Sequence, residues 1–383
     1  MKKVITIIVV ILIAVIGVYF LWSGQGRTAM AAEPELFLDD TSSYGVDSGS
    51  GNLVAVQTYM ESADYASAEA YQAKLDGYLA EADAQGWLQD DTIVVFPEWI
   101  GTWLVLANEK AELYEAETLE EAMQLMVLSN LPAFVESYTA AQGKDKIRDG
   151  LFRMKSETMA RIYQDTFSNL AEKYGVTIVA GSLDLPDPRV ENGELVLGSG
   201  ELQNVTPVFH PDGTLYSNIV RKMFITSDEA AFASAGDFNQ QLTYDTPAGE
   251  LGVLICADSW YLEPYETLAD QEPEIIVVPN NYISDIGWDQ KWKGYDPGPV
   301  PADADPADIG RLTEGEARLK WTLDGRMQDI GATTGMHVFF RGDIWDLTSH
   351  GHTIIFTEDD IIEALPDARG AIVNYWLPET SSE

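Results

Sequence analysis

Nothing constrains the fold of this chain more than its first apolar run. After Met1-Lys2-Lys3, residues Val4 to Trp22 carry no charge and almost no polar atom. As a helix rising about 1.5 Å per residue, that run reaches ~28 Å, close to the ~30 Å of a hydrocarbon layer. Backbone buried in lipid has to satisfy its own hydrogen bonds, so a helix is the form available to it. Lys2 and Lys3 set the amino end on the cytoplasmic side, and Tyr19 and Trp22 suit the opposite interface. Residues 1–31 are therefore expected to be a membrane anchor or signal segment, with everything after them outside the cytoplasm. Ala29-Met30-Ala31 matches a small-x-small cleavage pattern, in which case the remainder is secreted. The run is longer than a usual signal core, which favours retention.

Residues 32–52 are rich in Ser, Gly and acidic side chains and read as a linker. One domain is expected over residues 53–380. The 383-residue chain is 46% hydrophobic and holds one cysteine, Cys256. No intramolecular disulfide is then available, and a large core has to hold the domain. A net charge of −39 disfavours nucleic acid and anionic lipid, both polyanions that need Lys and Arg partners.

Apolar runs at 53–57, 92–96, 176–180, 205–209, 251–255, 275–279, 336–340, 352–356 and 371–376 read as strands. Helical patterns cover about 67–84, 264–269 and 313–331. Between about 108 and 174 the composition turns to Glu, Ala, Leu, Met and Gln, which predicts two or three helices broken at Gln142-Gly143-Lys144-Asp145. Pro211-Asp212-Gly213 predicts a hairpin leading into 215–222. The mixture of strands, helices and hairpins gives an α/β domain with mixed sheets.

Three side chains stand where strands stop: Glu98 after Ile-Val-Val-Phe-Pro, Lys222 at the end of the hairpin strand, and Cys256 after Gly-Val-Leu-Ile. Strand ends form the rim on which ligand-binding groups gather in α/β sheets. A thiol with a pKa near 8.5 needs a base or a nearby cation to become a nucleophile. Glu98 can take the proton and later return it to a leaving amine. Lys222 and the backbone N–H of Ala257 can hold an oxyanion. Each signal has an ordinary structural alternative: a small buried thiol, a turn acid, an edge-strand charge. Their joint order carries the weight.

That ordered set, Phe-Pro-Glu at 96–98, Arg-Lys at 221–222 and Leu-Gly-Val-Leu-Ile-Cys-Ala-Asp at 251–258, resembles the nitrilase superfamily of carbon–nitrogen hydrolases. The resemblance runs from about Asn52 to Trp376. It implies a four-layer α-β-β-α sandwich with two mixed β-sheets, here preceded by one N-terminal transmembrane helix. It further implies a Glu98, Lys222 and Cys256 triad, with Glu229 as the candidate second glutamate. Hydrolysis of an amide-type C–N bond through a cysteinyl thioester follows, with no metal or organic cofactor and with pairing as a homodimer. Ala257 replaces an aromatic residue and Trp260 an arginine common among members, while Asp258 and Glu263 fall where the family places acids. Acyl transfer to an amine by the same triad, or a binding protein on the same fold, are the alternatives.

Trp99, Trp260, Asn281 and Trp288 are the candidate pocket walls. The loop with Trp288, Trp292 and Tyr295, interleaved with Lys291 and Lys293, follows the strand beside the nucleophile. His350 and His352 would share one face if they lay on one strand, but zinc needs three or four ligands. His210 reads as a hairpin-turn residue.

Overall fold

The computed structural model describes residues 2–27, 34–283, 287–295 and 298–379. The Ala29-Met30-Ala31 cleavage pattern lies outside these described residues. The chain folds as a mixed α/β sandwich around two six-stranded sheets.

The first sheet runs, in spatial order, Asp40–Tyr44, Ala371–Trp376, Asn52–Gln57, Thr92–Val95, Thr177–Val179 and Val208–Phe209. The second runs Thr243–Thr246, Gly249–Val253, Ile275–Asn280, Thr334–Phe339, Ile354–Thr357 and Ile361–Glu363. Both are mixed: the second has a parallel centre and antiparallel margins, while in the first the Asp40–Tyr44 edge is parallel and antiparallel pairs join Ala371–Trp376 to Asn52–Gln57 and Thr177–Val179 to Val208–Phe209.

Alternation along Asn52–Gln57 shows how the layers meet. Leu53 and Ala55 join the core that also holds Val253, Val277 and Val338 of the second sheet. Val54 and Val56 point the other way, to Leu75 on helix Ala68–Ala84 and to Tyr163 and Phe167 on helix Lys146–Tyr174. The strand is buried on both faces, as expected of a strand between layers. Leu268 of helix Leu262–Ala269 and Met327 of helix Arg326–Asp329 pack on the second sheet. The α-β-β-α order follows from these faces.

Several expectations need correction. The stretch read as a linker contributes strand Asp40–Tyr44, which pairs in parallel with Ala371–Trp376 and so belongs to the domain. Its alternating half-exposed pattern, Asp-Thr-Ser-Ser-Tyr, hides it, because an edge strand needs few apolar residues. The 205–209 run is two strands: Pro207 interrupts it, and Leu202–Thr206 pairs in a separate three-stranded sheet with Leu183–Pro186 and Val220–Arg221. The hairpin turn forms, with His210 stacked on Tyr216 at 3.5 Å. The strand after it shrinks to two residues that pair with Leu202–Thr206. The 313–331 helix breaks after Trp321 into Glu314–Trp321 and Arg326–Asp329.

The 108–174 region holds four helices, Ala111–Tyr114, Leu119–Ser129, Leu131–Ala140 and Lys146–Tyr174. Thr118 caps the second by accepting from the Glu121 N–H. The last starts on Asp145, whose side chain accepts from Ile147 and Arg148, and stops at Gly175, where φ is +66°.

Among the described residues, Lys2–Gly24 is the one helix long and apolar enough to cross a membrane, and of its residues only Ser23, near the carboxyl end, is buried. By length and composition it suits an anchor or a signal sequence. Its carboxyl end meets the four-helix region. The Leu131 N–H donates to Tyr19 Oη at 2.9 Å, and Lys110 Nζ donates to the Trp22 carbonyl at 3.1 Å.

Candidate active site

Strand Thr92–Val95 delivers Phe96-Pro97-Glu98 to the sheet end, where the backbone reverses sharply. Trp99 takes φ +65°, and its N–H donates to Ser182 Oγ at 2.9 Å. A positive φ at a bulky residue is costly and persists only where its surroundings enforce it. Gly181 supplies the room: a Cβ there would stand 2.1 Å from the Pro97 carbonyl oxygen. Cys256 has the same signature, φ +45°, just beyond strand Gly249–Val253 and at the start of the 3-10 turn Cys256–Trp260. Asp258 ties this turn down. Its Oδ1 accepts from the N–H groups of Met223 and Phe224 at 2.9 and 2.7 Å, which joins the cysteine turn to the lysine segment.

The structure brings Glu98, Lys222, Glu229 and Cys256 together around one cavity of about 500 Å³. Lys222 Nζ donates to Glu98 Oε1 at 2.8 Å and to Glu229 Oε2 at 2.6 Å, with all three side chains buried. Asn204 bridges the carboxylates from the far side, its Nδ2 donating to Glu98 Oε1 at 3.0 Å and to Glu229 Oε1 at 2.9 Å. Glu229 Oε2 also accepts the Thr226 N–H at 2.8 Å. The Cys256 thiol donates to the Asn281 carbonyl at 3.5 Å.

Burial and charge set the protonation states. Burial pushes the Cys256 thiol up to about 12, aided by the Glu98 charge and opposed by Lys222 and Arg318, so the resting sulfur is a thiol. Burial raises the Glu98 carboxyl above the ordinary value, Lys222 opposing and Glu229 adding to it. Burial also works against the Lys222 charge, but Glu229 and Glu98 override it and hold the ammonium well above its usual range. Glu229 ends below the ordinary value, because Lys222 and three hydrogen bonds outweigh its burial. The result is a neutral thiol beside a carboxylate able to take its proton, with a fixed cation close by.

A pH profile follows from these directions. If deprotonated Glu98 is the base, kcat/KM falls as pH drops through the raised Glu98 pKa, so the acid limb lies above 4.5. Glu229→Gln removes a like charge and should move that limb downward. An initial-rate profile of both proteins checks it.

Asp184 makes a second prediction. Fully buried, it is pushed up to about 7, mostly by burial and then by Glu229, while Thr102 Oγ1 donates to it at 3.0 Å. Its folded pKa exceeds the ordinary 3.8, so the stability it lends is full below 3.8 and drains away as pH rises towards and through 7. The loss amounts to about 4 kcal/mol. In Asp184→Asn that pH dependence should vanish, as read by chemical unfolding between pH values on either side of the window.

Trp99, Trp260 and Asn281 line the cavity. Trp288 does not: its ring packs edge-on against Phe339 at 5.3 Å and lies 5.0 Å from His352. Lys291, Lys293 and Tyr295 of the same loop do line it, whereas Trp292 is buried and stacked on Trp260 at 5.9 Å. Ala257 is buried in the first turn after the nucleophile. His350 and His352 do not share a strand face, because Gly351 turns the chain between them at φ +99°. His352 instead pairs with Glu363 at 2.7 Å. Among the described residues, no group of three His, Cys, Asp or Glu side chains could hold a metal.

Sequence reasoning missed Asn204 and Arg318. Asn204 stands beside Gln203 just before the predicted 205–209 run, with its partners far along the chain. Arg318 lies buried in the cavity wall, 5.1 Å from the Trp260 and Phe339 ring centres, with Nη1 donating to Asn280 Oδ1 at 3.2 Å.

Residues 55–294 match the model of the family described as carbon-nitrogen hydrolase. No curated protein matches the chain. Among solved structures, an amidase from Nesterenkonia sp. is 13% identical with a TM-score of 0.51, over 86% of this chain and 90% of that one. A Cys-to-Ser variant of a Nesterenkonia amidase, described as from the nitrilase superfamily, gives 13% and 0.51 over 87% and 94%. A Glu-to-Gln variant, described as carrying the acetamide moiety of fluoroacetamide added covalently at its active-site cysteine, gives 13% and 0.51 over 88% and 94%. At that identity the likeness concerns the fold.

Proposed function

The chain belongs to the carbon–nitrogen hydrolase family and is an enzyme of that class, and from that premise we propose that it hydrolyses an amide through a thioester on Cys256. The observation that carries the reading is the Glu98, Lys222, Glu229 and Cys256 cluster, buried and joined by hydrogen bonds, at the wall of one cavity.

In the proposed cycle Glu98 takes the Cys256 proton as sulfur bonds to the amide carbon, and the carbonyl π pair moves to oxygen. Lys222 and the Ala257 N–H stabilise that oxyanion. As the oxyanion collapses the C–N bond breaks, and Glu98 delivers its proton to the departing nitrogen. Water then attacks the thioester while Glu98 takes one of its protons. The C–S bond breaks, Glu98 returns the proton to sulfur, and the products are a carboxylic acid and an amine. Glu229 and Asn204 act through Lys222 and Glu98, fixing both in place. Neutral sulfur at rest explains why a base is needed: with the thiol near 12, few thiolates exist at neutral pH.

Partition tests this reading and its acyl-transfer alternative together. With hydroxylamine present, amides that share an acyl group and differ in amine should yield hydroxamate and acid in one constant ratio. A ratio that varied with the leaving amine would exclude a common acyl-enzyme. Acid output that gave way to amide formation with every added amine would favour transfer.

We read the Lys2–Gly24 helix as a retained anchor, with the catalytic domain outside the cytoplasm. Support comes from Arg27, just past the helix. Its Nη1 donates to Glu109 Oε2 at 3.0 Å, and its Nη2 to the Ser129 carbonyl at 3.1 Å and Asn130 Oδ1 at 2.9 Å. Glu109 is buried and also pairs with Lys155 at 2.8 Å. Cleavage after Ala31 would strip one of two cations from a buried carboxylate. Blotting the amino terminus in membrane and soluble fractions decides between retention and release.

A further inference from the structure

We infer that the substrate is an amphiphilic amide, its apolar chain lying in the arm of the cavity walled by the helical region and entering that arm from the bilayer that holds Lys2–Gly24. This rests on the amidase reading above and names the substrate class of that same site.

Three observations meet here. The first is the part of the cavity wall supplied by the helical region and Phe232. Leu119, Met123 and Met126 stand at helical spacing on one face of Leu119–Ser129, and Leu151, Phe152 and Phe232 close the space around them. Phe152 and Phe232 stack at 5.3 Å. Positions four and three apart share a helix face, so the helix turns one continuous apolar stripe into the cavity. Methionine at two of them suits a flexible apolar occupant, since its thioether adapts to irregular shapes. The cavity, about 500 Å³, falls within the ~300–1,000 Å³ typical of small-molecule sites. A compact amide alone would leave this apolar wall facing water.

The second is the position of that wall. Three residues beyond Met126, the Ser129 carbonyl accepts from Arg27, and the Leu131 N–H donates to Tyr19 within the apolar helix. One helix thus lines the cavity with one face and meets the anchor at its end. The third is the outer surface beside this junction. Leu128, Leu131, Val135 and Tyr138 are exposed at 55%, 43%, 53% and 40%. Leu131, Val135 and Tyr138, four and three residues apart, form an apolar strip along Leu131–Ala140, and Leu128 stands near the end of the preceding helix, across the Asn130 break. An apolar strip continuous with the end of a membrane-crossing helix fits the interfacial layer of the bilayer, which covers it without a further protein partner. The apolar arm of the site is then next to the lipid phase, where amphiphiles concentrate.

The test uses the full chain in phosphatidylcholine vesicles. One series of straight-chain primary amides, from acetamide through hexanamide to decanamide, varies the acyl side. A series of N-alkyl acetamides varies the amine side. In one of the two, kcat/KM should rise roughly threefold to fourfold per added methylene until the arm is filled. Met123→Glu, which puts a charge in the arm, should cut the ratio of long-chain to short-chain turnover on the order of 100-fold. That ratio is internal to each protein, so a general loss of folded enzyme does not mimic it. Acetamide turnover with a flat or falling dependence in both series overturns the inference and leaves the amidase reading standing. No turnover of any amide, with no adduct at Cys256, overturns both.

Discussion

Cys256→Ala loses turnover of every amide by about 10⁴-fold or more while keeping its fold. The size of the effect follows from the site having one nucleophile: Cys256 is the sole cysteine of the chain. Preservation of the fold follows from its position. The thiol donates to the Asn281 carbonyl at 3.5 Å, and the turn that holds it is pinned by Asp258 and by Ser259 Oγ donating to the Cys256 carbonyl at 2.7 Å. Alanine keeps the Cβ and loses only sulfur, a void worth about 1 kcal/mol. Thermal unfolding and kcat/KM measured on the same preparation separate the two effects. A variant that kept a tenth of its activity would contradict the assignment.

Lys222→Met is expected to damage both stability and turnover. Nζ lies 2.8 Å from Glu98 and 2.6 Å from Glu229, with all three side chains buried. Without the ammonium, two buried carboxylates face each other across the Asn204 amide, and one must take a proton or the site must open. Breaking a buried pair in this way costs about 3–5 kcal/mol. Loss of the oxyanion partner should lower kcat by a further ~10²–10³. Adding Glu229→Gln removes one of the stranded charges, so the double variant should regain most of the stability and none of the turnover. Guanidinium unfolding of the two proteins reads the first and initial rates the second. Equal stability of single and double variants would mean that Glu229 is not held by Lys222 in solution.

Glu98 and Cys256 were legible because each follows a strand that is buried or apolar on both faces, and Lys222 because it closes the segment after the Pro211-Asp212-Gly213 turn. Such runs are visible without knowing the fold, and the residue that stops one is conspicuous. Glu229 was harder, since its distance from Lys222 is set by an irregular segment and a single 3-10 turn. The positive φ values at Trp99 and Cys256 were out of reach, because nothing in a tryptophan or a cysteine announces left-handed backbone. Both are imposed from outside, by Gly181 packed on Pro97 and by Asp258 gripping the lysine segment.

Residues that meet only through topology were missed for the same reason. Asn204 and Lys222 are brought together by the small three-stranded sheet, of which the sequence suggested only the 205–209 run and the hairpin and not Leu183–Pro186. Arg318 reaches the cavity from a helix whose sequence shows only ordinary amphipathic spacing. Trp288 erred in the other direction. Its loop does wall the site, but a loop's side chains follow no period, and this indole turned to Phe339 while Lys291 and Lys293 faced the cavity. Strand Asp40–Tyr44 looked like linker because its stability comes from backbone pairing with Ala371–Trp376, which composition does not record.

The most direct measurement is the intact mass of the enzyme quenched in acid during turnover of a good amide, followed by peptide mapping. The account predicts a mass gain equal to the acyl group alone, carried on the peptide containing Cys256, removed by hydroxylamine and absent from Cys256→Ala. Steady turnover with an unmodified Cys256 under single-turnover conditions, or an acyl group carried on any other residue, would contradict it.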